Sequence, residues 1–136
     1  MRLTIFFVPG LVFSLNAVSE SKSPNKLYEC VAYKKVDTEN DYSQDMLKKY
    51  RYSTRLEVGP SGAFISRCSF SPGQKKVTCD RYQVDKIEID PFIGVRKYYV
   101  FRNQFDFQFF QDLTSVENNG RGAIEFGKCV EVSGFK

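Results

Sequence analysis

Two textures of apolar residues divide the chain. From Leu3 to Leu15 nearly every position is apolar, with Arg2 before the run and Ala17-Val18-Ser19 after it. A short basic start, an apolar run and small residues at its end form the pattern of a secretory signal peptide. Pro9-Gly10 in mid-run and the switch to Glu20-Ser21-Lys22-Ser23-Pro24 argue against a buried helix. A helix needs about 20 apolar residues to cross a bilayer, which this run does not supply. The expected organisation is a signal over 1–19 and one secreted domain over 20–136.

Beyond Asn25 the apolar positions come in short bursts. Lys26–Tyr33 reads as a strand, with Leu27, Val31 and Tyr33 among polar neighbours. Asp37-Thr38-Glu39-Asn40-Asp41 suits a helix start, where side-chain oxygens cap free amides and carboxylates meet the positive end. Tyr42, Met46, Leu47 and Tyr50 follow at helical spacing, and Lys48, Lys49 and Arg51 suit the negative end. The spacing predicts a helix over about 41–52. After Gly59-Pro60-Ser61-Gly62 the pattern predicts strands over 63–70, 75–82, 83–90, 95–102, 105–111 and 123–130. Ser71-Pro72-Gly73-Gln74, Asn103-Gln104 and Asn118-Asn119-Gly120 are the turn signals between them. One helix followed by a run of strands predicts an α+β fold, the helix packed on one face of a curved antiparallel sheet. Phe105, Phe107 and Phe109 alternate with Asp106 and Gln108, so three rings project from one face. The core face of the sheet is the expected place for them; a platform for unpaired bases is the alternative.

Cys30, Cys68, Cys79 and Cys129 lie in the expected secreted domain, and an even count in a small exported chain reads as two disulfides. Of the three possible pairings, Cys68–Cys79 with Cys30–Cys129 is favoured. The turn at 71–74 lies midway between the inner pair and sets the two cysteines opposite each other on neighbouring strands. Cα atoms so placed are about 4.5–5.5 Å apart, within disulfide reach. There is no Cys-x-x-Cys and no histidine, so neither a metal nor a cofactor is expected.

The absence of histidine removes the side chain that titrates near neutral pH and with it every Ser-His-Asp and Cys-His arrangement. Oxidised cysteines would leave no thiol nucleophile. Glu88 and Asp90 share a strand face, but a glycosidase needs such a pair beside a sugar cleft. The formal charge of +4 becomes +3 once Arg2 leaves with the signal, which permits an anionic partner without demanding one. The densest basic cluster is Lys48, Lys49, Arg51 and Arg55, interleaved with Tyr50 and Tyr52. Arg67, Lys75, Lys76 and Arg81 add to it if the fold brings the cysteine hairpin alongside. Lys48, Lys49, Arg51, Arg55, Lys75 and Lys76 are the candidate contacts for RNA or an acidic partner. The competing reading is a solvated helix end.

Tyr28-Glu29-Cys30 soon after the signal, Lys97-Tyr98-Tyr99-Val100, and the late Gly127-Lys128-Cys129-Val130-Glu131 resemble the RNase-like secreted effectors of powdery mildew fungi, proteins associated with haustoria. That family carries a Tyr/Phe/Trp-x-Cys motif, here Tyr28 and Cys30, and pairs its cysteine with one near the C-terminus. The resemblance implies the fold of the small fungal guanyl-specific ribonucleases, one helix on a curved sheet. It places Glu88 and Arg96 at the enzymes' glutamate and arginine positions and Leu113 where a histidine would stand. The implied protein is a pseudo-ribonuclease, not an enzyme. It would be a monomeric virulence or avirulence effector delivered into the host plant cell cytoplasm, without a membrane role. There it would bind a host protein, or RNA weakly, and be open to recognition by intracellular immune receptors. The alternative is a secreted ribonuclease-type hydrolase with unusual catalytic residues.

Overall fold

The computed structural model describes residues 25–132; the expected export signal lies outside them. Nine strands run through this stretch: β1 Lys26–Val36, β2 Ser53–Gly59, β3 Gly62–Ser71, β4 Lys76–Gln83, β5 Lys86–Ile89, β6 Arg96–Val100, β7 Phe105–Phe109, β8 Thr114–Asn118 and β9 Ile124–Val132. A single short helix, α1 Gln44–Tyr50, separates β1 from β2. All strands join one sheet in the order β4-β3-β2-β1-β9-β8-β7-β6-β5, and every neighbouring pair is antiparallel.

That order makes the sheet curl. Its two edge strands, β4 and β5, are consecutive in sequence, joined only by Val84-Asp85. Eight antiparallel pairings lie between them, an even number, so they run in the same direction. They act as one long strand that changes partners: the Val84 amide donates to the Ala63 carbonyl at 3.0 Å and the Asp85 amide to the Tyr99 carbonyl at 2.8 Å. The two ends of a nine-strand sheet are thereby tied at one corner, and the sheet closes into a half-barrel. Strands that switch partners at a bend make corners of this kind.

The concave face holds the core. Period-two alternation points Leu56 of β2, Ala63 and Ile65 of β3, Tyr98 and Val100 of β6, and Phe105 and Phe107 of β7 inward to one cluster. Rings meet across the hollow: Tyr82 lies 5.1 Å from Phe105 and Tyr28 lies 4.7 Å from Phe109. Phe107 is 1% exposed, so the phenylalanine strand is core and not a base-stacking platform. Cys30 bonds Cys129 across the central β1–β9 pair, inside the cluster, and Cys68 bonds Cys79 across β3–β4. Gly127 sits beside the first bond because a side chain would meet Ser115 Oγ at 2.5 Å and Cys30 Cβ at 3.4 Å.

The expected α+β arrangement, with one helix packed on a ribonuclease-like sheet, is therefore corrected. The nine-strand curl closes on its own concave face and needs no helix to cover a core. The predicted helix over 41–52 shrinks to seven residues that bury only Leu47. Its cap is Ser43, whose hydroxyl accepts from the Met46 amide at 3.2 Å. Asp37 instead accepts from the Glu39 and Asn40 amides and makes a turn of its own. Those amides hold its carboxyl below the usual value. The helix ends because Arg51 adopts the left-handed conformation, φ 49°. Two strands, Ser53–Gly59 and Thr114–Asn118, were not expected.

Candidate functional site

The six basic candidates are placed on the convex side and around the tip of the β3–β4 hairpin. Helix α1 lies against that side near β1 and β3, leaving a groove of about 410 Å³. Val31, Ala32, Leu47 and Val77 give it an apolar floor; Lys48, Arg51 and Arg55 stand round it with Glu29 and Gln44. Arg55 is 3.8 Å from Glu29 and so is partly neutralised. Lys48, Lys49 and Arg51 have no carboxylate partner among the described residues. Lys49 lies over the Tyr50 ring at 5.2 Å and Arg51 over the Phe70 ring at 5.4 Å. Phe70 pairs with Val77, so the contact with Arg51 sets the helix end against the β3–β4 hairpin. The hairpin tip just beyond carries Lys75, at φ 55°, and Lys76. Of the second basic cluster only Lys75 and Lys76 stand at this tip; Arg67 is bound to Glu117, and Arg81 to Glu57 at 2.9 Å, so the two clusters of the sequence do not merge as a whole.

The two positions matched to catalytic residues are not brought together. Glu88 pairs with Lys97 and Arg96 with Ile89, so their side chains leave opposite faces of the β5–β6 hairpin. On the outer face Lys86 Nζ lies 2.7 Å from Glu88, and the Tyr99 hydroxyl donates to it at 3.0 Å. These two partners hold the Glu88 carboxyl below its usual value, the wrong direction for a group that must take up a proton. Asp90 is not its catalytic partner either. It accepts from the Phe92 and Ile93 amides of the following turn, which lower its pKa. Leu113 lies in the left-handed region, φ 63°, beside Arg96 at one end of the concave face.

Sequence reasoning missed the polar end of the half-barrel. At the far end of β1 from Tyr28, a pocket of about 190 Å³ is lined by Lys35, Tyr52, Thr54, Arg67, Glu117 and Glu125, with Asp80 and Tyr82 beside them. Glu117 is the centre. Its Oε1 accepts from Arg67 Nε at 2.6 Å and its Oε2 from the Thr54 hydroxyl at 2.8 Å, while Lys35 Nζ lies 3.0 Å from Glu125. Burial pushes the Glu117 carboxyl above its usual value, with Glu125 adding to the rise and Arg67, Thr54 and Lys35 opposing it. Paired carboxylates, one with a raised pKa, are what acid–base hydrolysis uses. Here both Glu117 oxygens are engaged and its side chain is only 6% exposed, so the geometry is that of a clamp joining β2, β3 and β8. The available signal was the inward-facing pair Ser115 and Glu117 flanking Val116. It inverts the usual apolar-inside pattern and reads as a loop.

No known protein family, curated protein or solved structure matches the chain. Among the described residues, no helix is long and apolar enough to cross a membrane, and no cluster of side chains is placed to hold a metal ion. The two disulfides fit an oxidising compartment outside the cytoplasm.

Proposed function

We propose that the protein is a secreted binding module that takes an acidic, partly apolar segment of a host protein in the groove between α1 and the convex sheet face. One observation carries this reading: Lys48 and Arg51, with no carboxylate partner among the described residues, stand beside the exposed part of an apolar floor. Cations around a desolvated floor favour a partner with carboxylates flanking apolar side chains, because charge steers encounter and apolar contact holds it. The Tyr28-Glu29-Cys30 motif and the Cys30–Cys129 clasp keep the plant-effector reading, with action in the host cell and exposure to intracellular immune receptors, as part of the proposal. The ribonuclease scaffold is no longer part of it. Support for a non-enzymatic role comes from the separation of Glu88 and Arg96 onto opposite faces.

The test is retention of host protein from infected tissue by wild type and by Lys48→Glu with Arg51→Glu. Both residues are exposed, but Arg51→Glu loses the Phe70 contact at the helix end, so thermal melts and the single variant Lys48→Glu accompany the comparison. Retention is expected to fall by about tenfold or more, a change of about 1.4 kcal/mol, and to weaken in wild type as salt rises. Equal retention by a folded variant would place the contact elsewhere. In the same preparation RNA should not be cleaved, and its binding should be weak and salt-sensitive. Turnover abolished by Glu88→Ala would establish the hydrolase reading instead.

A further inference from the structure

We propose that the apolar end of the half-barrel binds a single-chain amphiphilic carboxylate, its alkyl chain on Tyr28, Val58 and Phe109 and its head group at Lys26 and Arg96. The concave face has two chemically opposite ends. One holds three carboxylates, Asp80, Glu125 and the Glu117 of the clamp. At the other, the ends of β1, β2, β5, β6 and β7 enclose a cleft of about 340 Å³. A volume of this size is at the lower end of the roughly 300–1,000 Å³ of small-molecule sites, which favour the mouths of β-barrels. The floor is Tyr28, Val58 and Phe109, closed from below by the packed core. Ile89 and Leu113 form its sides.

The polar groups select the ligand class. Lys26 and Arg96 are the charged residues lining the cleft, and neither has an ion-pair partner among the described residues. The acids close by in sequence are turned to other work. Asp90 accepts from the amides of Phe92 and Ile93, and Asp112 from the amide and hydroxyl of Thr114. Glu131, the cross-strand neighbour of Tyr28, does not line the cleft. Two cations beside apolar walls, with no carboxylate lining them among the described residues, complement an anionic head on a hydrocarbon chain.

Two further features belong to the same end. Leu113 is held at φ 63°, where a bulky side chain is uncommon and glycine or asparagine would be at ease. The fold places an apolar side chain at the cleft wall in spite of that strain. The β5–β6 turn also carries Phe92, 93% exposed, and Ile93, 65% exposed, next to the lining residue Gly94.

The experiment titrates the disulfide-bonded protein with decanoate below its micelle concentration, following heat and backbone amide shifts. Saturable one-to-one binding is expected, with the largest shifts at Tyr28, Arg96 and Phe109. Decanol should bind about tenfold or more weakly, since a charged hydrogen bond is lost. Arg96→Gln should weaken decanoate by a similar factor and leave decanol unchanged, whereas Ile89→Asp should weaken both. Both sites are exposed, so folding should survive. Absence of saturation, equal binding of decanol, or decanoate binding unchanged in Arg96→Gln would each overturn the proposal. So would sedimentation with anionic phosphatidylglycerol vesicles without uptake of decanoate, which would make this end a membrane contact. Lys48→Glu should leave decanoate binding unchanged, so failure here is distinguishable from failure of the host-protein groove.

Discussion

Replacing Cys30 and Cys129 together by alanine is expected to cost about 4–5 kcal/mol, against about 3 kcal/mol or less for Cys68 and Cys79. The first bond closes a sequence separation of 99 residues and the second one of 11. A cross-link restricts the unfolded chain more as its loop grows, although slowly with length. Position in the fold acts in the same direction. Cys30 and Cys129 lie in the core cluster, across the pairing that joins the first strand to the last. Without that pairing the meander β1–β4 and the meander β5–β9 meet only at the Val84-Asp85 corner and through side chains. Cys68 and Cys79 instead brace a hairpin already registered from Phe64–Gln83 to Ser71–Lys76 and closed by a local turn. Alanine is chosen over serine because a buried hydroxyl would add a desolvation cost of its own. Matched denaturant titrations of the two double variants check the ordering; equal or reversed losses would show that the unfolded chain is already restricted by other means.

How much of this was legible follows from the range of each signal. Both disulfides were legible, because the inner pair brackets a turn signal and only one pair then remains. So were the hairpin turns and the inward-facing phenylalanines. The helix was overdrawn at its start because Tyr42, which lies before α1, stands at helical spacing for a different reason. Its ring packs 5.8 Å from that of Tyr52, under Lys35, which lies 4.4 Å above the Tyr52 ring. Strand β2 was there to be read, as Leu56 and Val58 alternate with Arg55 and Glu57, but it was obscured by the preceding basic run. Closure of the sheet was not legible. It depends on where β4 releases β3 and β5 takes up β6, two hydrogen bonds that leave no mark on composition. The same limit applies to the sites. A one-residue register difference puts Glu88 and Arg96 on opposite faces, and ion pairs with Glu117 and Glu57, distant in sequence, take Arg67 and Arg81 out of the basic cluster.

Arg67→Met should destabilise the protein by about 3 kcal/mol near neutral pH and by much less near pH 4. Removing one partner of a buried ion pair typically costs about 3–5 kcal/mol, and the lower figure applies because the Arg67 side chain is 26% exposed. Methionine retains the apolar stem that packs near the Phe105 ring, 5.0 Å from the guanidinium, so the loss reports charge more than volume. The sign of the pH effect follows from the Glu117 carboxyl, whose folded pKa lies above its unfolded value of 4.5. Below that value the group is protonated in both states and costs nothing. As pH rises towards the folded pKa, the unfolded chain releases the proton first, and stability falls. Loss of Arg67 raises the folded pKa further and widens that window upward. Thr54 and Lys35 still favour the charged form, and Glu125 still opposes it. Glu117→Gln in the Arg67→Met background removes the titration, so the double variant should recover much of the loss at neutral pH and little at pH 4. A double-mutant cycle run at both pH values isolates the coupling. If the Arg67→Met loss is the same at pH 4 and pH 7, Glu117 is not the group that answers to Arg67, and the clamp at the polar end is held by packing alone.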